Sequence, residues 1–188
     1  MPLYWSLCRS CNVAAVNVRY VDWYESPVGP LIACATDSAL CGLSFCDADR
    51  LQERLQALRE QHHATLLQGS NPLLAELRTQ LQEYFASQRR QFTVPLSAAG
   101  SPFQERVWAA LCEIPYGETW SYLQLAVRIG DALATRAVGY ANGANPIAIV
   151  IPCHRVINAD GGDGGYGGGL WRKRMLLDLE RGQGTLPW

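Results

Sequence analysis

Seven of the nine residues from Gly161 to Gly169 are glycine. Such a stretch resists regular structure. Each glycine costs a helix about 1 kcal/mol against alanine, and it gives a strand no side chain to pack. The chain must cross it as irregular backbone. Just upstream, "IPCHRVI" (151–157) ends an apolar run at Pro152. That proline forbids a continued central strand, so a turn is expected at the one place where a cysteine, a histidine and an arginine stand together.

The other elements follow from periodicity. At 188 residues and 48% hydrophobic, the chain can bury a real core in one large or two small domains. Residues 1–16 show no clear period and are expected to be a disordered extension. From Asn17 to Phe45 alternation predicts strands, with turns at "SPVG" and "TDSA". "DADRLQERLQALREQ" predicts an amphipathic helix opening at an Asp cap, and "NPLLAELRTQLQEYFASQ" a second with proline in its first turn. "QFTVPL" predicts a short strand returning to the sheet. The first unit then spans 17–98 and the second 99–188. The second reads as mostly helical: 101–114, a close pair at 119–130 and 132–143, and a closing helix at 170–182. The fold class is α+β, with a small antiparallel sheet in the first unit.

Charge and cysteine content narrow the function. Net charge is −1, so any nucleic-acid binding must come from local placement. There is no apolar run of membrane-spanning length and no basic head of a signal peptide, which points to the cytoplasm. The seven cysteines are expected as free thiols. Cys8 and Cys11 form a C-x-x-C with no second ligand pair at zinc-finger spacing, and His62 and His63 read as solvated.

The close helix pair suggests a helix-turn-helix. In its second helix Ala134, Ala137, Val138 and Ala141 share a narrow core face. Thr135, Arg136, Gly139, Asn142 and Gly143 make the other, which is small apart from Arg136. A face so bare fits either a DNA groove or another helix. Cys153 needs a base and some exposure to act as a nucleophile. His154 is adjacent, and the imidazole would need a third group, for which the last helix offers Asp178 and Glu180. These residues alone leave two classes open: a Cys-dependent transferase, or a helix-turn-helix binding protein with a passive cysteine.

Longer blocks favour the first. "SPFQERVWAALCEIPYGETWSYLQLA", "TRAVGYANGANPIAIVIPCHRVI" and "GGYGGGLWRKRMLLDLE" resemble, in order and spacing, the F-Q-x-x-V-W, I-P-x-G-x-x-x-S-Y, R-A-V-G, N-P, P-C-H-R-V and G-Y-x-G-G-L blocks of the O6-alkylguanine-DNA alkyltransferases. The resemblance covers about 85 C-terminal residues, with a looser match through "SPVGPL" and "GLSF". It implies a ribonuclease H-like α/β first domain and direct-reversal repair of double-stranded DNA carrying alkylated guanine. The alkyl group would pass irreversibly from O6-alkylguanine, and also O4-alkylthymine, to Cys153, by a monomer that uses no cofactor and no metal. His154 would act through a water as base, and Glu180 would steady it. Asn145 would tie the helix pair to the site, and Tyr122 would donate to the guanine ring. Arg136 would replace the flipped base from the minor groove, with Ala134, Thr135, Gly139 and Gly143 also facing DNA. The carbonyls of Cys153 and Val156, the N–H of Gly167, Tyr166 and Asn142 would line the pocket. The sequence departs from the pattern in "GDALATR", where a proline is expected after the glycine, and at Ala148, where some members have proline. Cys41 lies near a zinc-ligand position of some members, but its partners are missing. The alternative is a non-transferring alkyltransferase-like protein that binds lesions; those lack the acceptor cysteine.

Overall fold

The first strands meet as an antiparallel meander whose two faces are covered by different helices. The computed structural model describes residues 17–183; the expected extension at 1–16, with Cys8 and Cys11, lies outside the described residues. β1 (Val18–Tyr24), β2 (Leu31–Ala35) and β3 (Leu40–Phe45) are followed by α1 (Leu51–His62), β4 (Thr65–Gln68) and α2 (Pro72–Phe85). The sheet order is β3-β2-β1-β4, with β4 parallel to β1. All five residues of β2 are buried because alternate side chains meet different layers. Leu31, Ala33 and Ala35 pack on the side of α2; Ile32 and Cys34 join Leu58 of α1.

Four details differ from the expectation. β4 was not anticipated, because only Leu66 of its four residues is even partly buried and four residues show no period. "QFTVPL" returns to the sheet through a single bridge, Leu96 beside Leu40; Pro95 can accept from Leu40 but has no N–H to donate. Asp47 does not cap a helix with its side chain. It meets Arg172 at 3.3 Å instead. His62 is partly buried rather than solvated, and burial lowers its pKa.

The second half is α3 (Pro102–Leu111), a short β5 (Trp120–Ser121), α4 (Tyr122–Arg128), α5 (Thr135–Gly143), β6 (Val156–Ile157) and α6 (Leu170–Glu180). Ser101 and Ser121 each form a reciprocal capping box, with Gln104 and Gln124. The turn between α4 and α5 has no proline. It closes through Asp131, whose N–H reaches Ala126 O at 3.0 Å and whose carboxylate accepts from Leu133 N at 3.1 Å. α5 is rotated slightly from the expected setting: Val138, Ala141 and Asn142 are buried, while Ala137 is exposed. Trp108 Nε1 donates to Ala141 O at 2.9 Å and fixes α3 against α5. One hydrophobic core runs through both halves, from Leu43 and Leu74 to Trp108, Ile147 and Leu176. The second half is therefore held in a fixed relation to the sheet.

Candidate active site

Two consecutive tight turns deliver the cysteine. Val150 N donates to Ala148 O at 2.8 Å across Ile149, whose φ is +70°. Cys153 N donates to Ile151 O at 2.8 Å across Pro152, at φ −83° and ψ 59°. The second is an inverse γ-turn, which proline favours. The first is the strained hand, rare for a β-branched residue. It persists because Ile149 is 1% exposed and locked in the core. Asn145 fastens the same bend: its Oδ1 accepts from Ile147 N at 3.0 Å, and its Nδ2 donates to Ile151 O at 2.8 Å and to Cys153 Sγ at 3.0 Å.

Cys153, His154 and Arg155 then form one 3-10 turn, all buried. A turn of this kind does what an extended strand cannot, keeping adjacent side chains within one site. His154 Nε2 lies 2.9 Å from Glu180 Oε1. That oxygen also accepts from Tyr84 Oη at 2.7 Å and Arg155 Nη2 at 2.9 Å. Oε2 accepts from Arg155 Nε at 2.8 Å and Gly117 N at 3.1 Å. Burial would raise the pKa of Glu180, but the hydrogen bonds of His154 and Arg155 and the guanidinium charge outweigh it and hold the carboxyl far below the usual range. An ionised carboxylate only accepts, so Nε2 carries the proton. Burial lowers the pKa of His154, against the pull of Glu180, and the ring is neutral. Nδ1 is then a bare acceptor, buried and without a protein partner. Burial raises the pKa of Cys153, opposed by Asn145 and by the charge of Lys173, so the resting group is the thiol. The site holds a protonated sulfur and an unused base.

Cys153 opens on a cavity of about 130 Å³ shared by both halves, with Phe45 from β3 and Asn145, Ala148, Tyr166 and Gly167 among its walls. Gly168 must be glycine here, since a Cβ would come within 2.5 Å of the Phe45 ring. Asn142, set on the outer face of α5 by periodicity and in the pocket by the resemblance, is buried in this wall and its amide reaches Cys153 O at 3.4 Å. Glu180 rather than Asp178 is the third group; Asp178 points to solvent. Val156 is not among the cavity's walls, and its carbonyl already accepts from Lys173 Nζ. Tyr122 stands in the next groove, with Thr135, Arg136, Gly139, Tyr140 and Gly165. Ala134 is half-buried, while Arg136 and Gly143 are exposed.

Sequence reasoning missed four contributors, Tyr84, Lys173, Phe45 and Arg172, and gave Arg155 beside Cys153 no partner. Arg172 Nε donates to Val28 O at 2.7 Å and Nη1 to Gly168 O at 2.9 Å, while its guanidinium lies 4.7 Å from the Phe45 ring centre. It clamps the glycine segment to the first half. Lys173 had a readable signal: Lys173, Leu176, Leu177 and Glu180 fall at i, i+3, i+4 and i+7, one buried face carrying two charges. Tyr84 had none, being 96 residues from Glu180.

Known proteins resemble this chain along both of its halves. Residues 20–98 match the family described as 6-O-methylguanine DNA methyltransferase, ribonuclease-like domain, and residues 102–182 match its DNA binding domain. A methylated-DNA–protein-cysteine methyltransferase of Mycobacterium leprae is 46% identical over 85% of this chain and 90% of its own length. The crystal structure of Mycobacterium tuberculosis O6-methylguanine methyltransferase superposes with a TM-score of 0.76 at 43% identity, covering 90% of this chain and 96% of that one. The Mycobacterium tuberculosis OGT in complex with DNA gives 0.75 at 43% identity, over 88% and 95%. A thiol, a neutral histidine and a buried glutamate, set beside a helix pair in a chain matched along both halves, place this protein in the 6-O-methylguanine DNA methyltransferase family.

Proposed function

We propose that the protein repairs alkylated guanine in duplex DNA by taking the O6-alkyl group onto Cys153, once per molecule. The observation that carries this reading is the pairing of a buried thiol with the bare Nδ1 of a neutral, Glu180-anchored histidine. The thiol proton passes through a water to Nδ1. The sulfur attacks the alkyl carbon, an S–C bond forms, and the C–O bond breaks with its electron pair left on O6. Guanine takes up a proton in turn. The imidazolium formed in between is met by the ionised Glu180, fixed in place before the reaction. The thioether is not hydrolysed, so the cysteine is not recycled.

A base in a duplex cannot present O6 to a buried sulfur and must be rotated out, at a cost of a few kcal/mol. Arg136, exposed on a helix of small residues, is placed to fill the gap from the minor groove. Tyr122 donates to the ring of the flipped guanine. Asn145, besides its bond to the sulfur, links the helix pair to the thiol. In this division the unit 17–98 supplies a wall and support, and the unit 99–188 supplies chemistry and the DNA face. Among the described residues no helix is long and apolar enough to cross a membrane, and their five cysteines are free; we place the protein in the cytoplasm, as a monomer. The same pocket is open to O4-alkylthymine. The lesion-binding alternative is not favoured, since the acceptor thiol is present. Incubation with duplex DNA containing O6-methylguanine should add one methyl to the Cys153 peptide by mass spectrometry. Binding without mass gain would overturn the reading.

A further inference from the structure

The 3-10 turn Ala132–Ala134 runs directly into α5, and one face of the joined segment stays in solvent. Leu133, Arg136, Ala137, Tyr140, Gly143 and Ala144 are all exposed, at helical spacings of three and four. Four of the six are small or charged. The other two are large and apolar: Leu133 is 97% exposed and Tyr140 75%. Neither lines the thiol cavity, and neither belongs to a core cluster among the described residues. Large apolar groups gathered on one face mark a surface that meets a partner.

That partner is duplex DNA. The face is continuous with Arg136 and lies in the segment matched to the family's DNA binding domain. Charge alone is a weak source of affinity here. The chain carries −1 overall, Arg136 is the one cation on this face, and Arg128 of α4 is engaged by Glu113 at 2.5 Å. Apolar side chains hold a minor groove without charge, by wedging against sugars and partly unstacked base steps.

We propose that Leu133 and Tyr140 are apolar wedges on either side of Arg136, pressing on the base steps that flank the extruded nucleotide. Four residues of helix advance about 6 Å, close to two steps of about 3.4 Å along a strand. Tyr140 thus reaches the steps beyond the one Arg136 fills, and Leu133 the steps before it. Opening those steps lowers the cost of rotating the target base. The proposal rests on the alkyl-transfer reading above. It adds that much of the duplex affinity is non-ionic.

The test compares Tyr140→Ala, Leu133→Ala, the double variant and Arg136→Ala in the full chain. Each is assayed for affinity to a labelled O6-methylguanine duplex across a potassium chloride series and for transfer from free O6-benzylguanine. Tyr140→Ala should weaken duplex binding about tenfold, the scale of one lost aromatic stack, and the double variant more. The salt slope should stay unchanged in these variants, whereas Arg136→Ala should reduce it by about one. Tyr140→Phe should keep the affinity, and free-base transfer should stay within about twofold of wild type in the Leu133 and Tyr140 variants. Unchanged duplex affinity in the double variant would overturn the proposal. So would a changed salt slope, an equal loss with the free base, or a dimer by sedimentation that Tyr140→Ala dissolves. Failure of the wild type to take an alkyl group from either substrate would instead overturn the reading beneath it.

Discussion

The thiol pocket and the outer face of α5 solve opposite problems. In the pocket, the side chains of His154 and Glu180 have no exposure, and the five hydrogen bonds to one carboxylate come from three different parts of the chain. On α5, Arg136, Tyr140 and Gly143 stand in solvent. A buried, fully bonded network fixes proton positions and resists movement. An exposed face of small residues and a few projecting side chains costs little to carry and waits for its partner. Changes in the pocket should therefore damage folding and chemistry for every substrate. Changes on the helix should damage only work on duplex DNA.

The sharpest break is at Cys153. Cys153→Ala should abolish transfer from duplex and from free base alike, while duplex affinity stays within about twofold; stoichiometric transfer by this variant would refute the acceptor assignment. Next comes Glu180. Glu180→Ala leaves Arg155 buried without its carboxylate and His154 without its anchor, and should cost about 3–5 kcal/mol of stability by denaturant unfolding. A loss below about 1 kcal/mol would mean that the network is not the keystone of the second half. On the other side, Arg136→Ala should slow duplex repair on the order of ten- to a hundredfold, the scale of the unstacking cost, and leave free-base transfer near wild type. Equal losses would erase the distinction between the regions. Between the two stands Arg172, which ties the glycine segment to Val28 and Phe45. Arg172→Met should slow transfer from both substrates several-fold, on the order of 1 kcal/mol, with the free-base loss appearing as weaker binding rather than slower chemistry.

The pocket and the helix were also unequally legible in the sequence. Contiguous groups were visible: Pro152, Cys153 and His154 in one string, Arg136 on a helix of small residues, and Ser101 at the head of the helix expected over 101–114. Groups brought by folding were not. Tyr84 reaches Glu180 from α2, and Phe45 reaches the cavity from β3; neither has a local pattern that sets it apart from ordinary core. Asn142 was assigned to the outer face because periodicity locates a helix's stripe only to within a residue. The tighter setting of α5 against Trp108 turned it inward. The glycine run was read only as irregular backbone, and the crowding at Gly168 comes from Phe45 of the first half. Local spacing carried the chemistry, and three-dimensional closure supplied the carboxylate's other partners.

Acidity separates the regions with the least disturbance. His154 has a lowered pKa, so the unfolded chain binds its proton more readily than the folded one. Its contribution to stability is complete above about pH 6.5 and falls as pH drops below that value. His62 adds to this first stage with the same sign, and His62→Asn isolates the share of His154. Glu180 is depressed, so a second loss begins below about pH 4.3 and continues as pH falls toward the folded pKa. Chemistry moves in the same direction for a different reason. The thiol proton passes to a neutral His154, so free-base transfer should fall as acid protonates the imidazole below about pH 6.5 and stay level from there to about pH 8.5, where the raised pKa keeps Cys153 a thiol. The outer face of α5 carries no histidine, cysteine or carboxylate. Duplex affinity of Cys153→Ala should therefore stay flat as pH falls below about 6.5 while wild-type transfer drops. A duplex affinity that tracks the transfer rate would place a titrating group on the DNA face and join two regions that the geometry keeps apart.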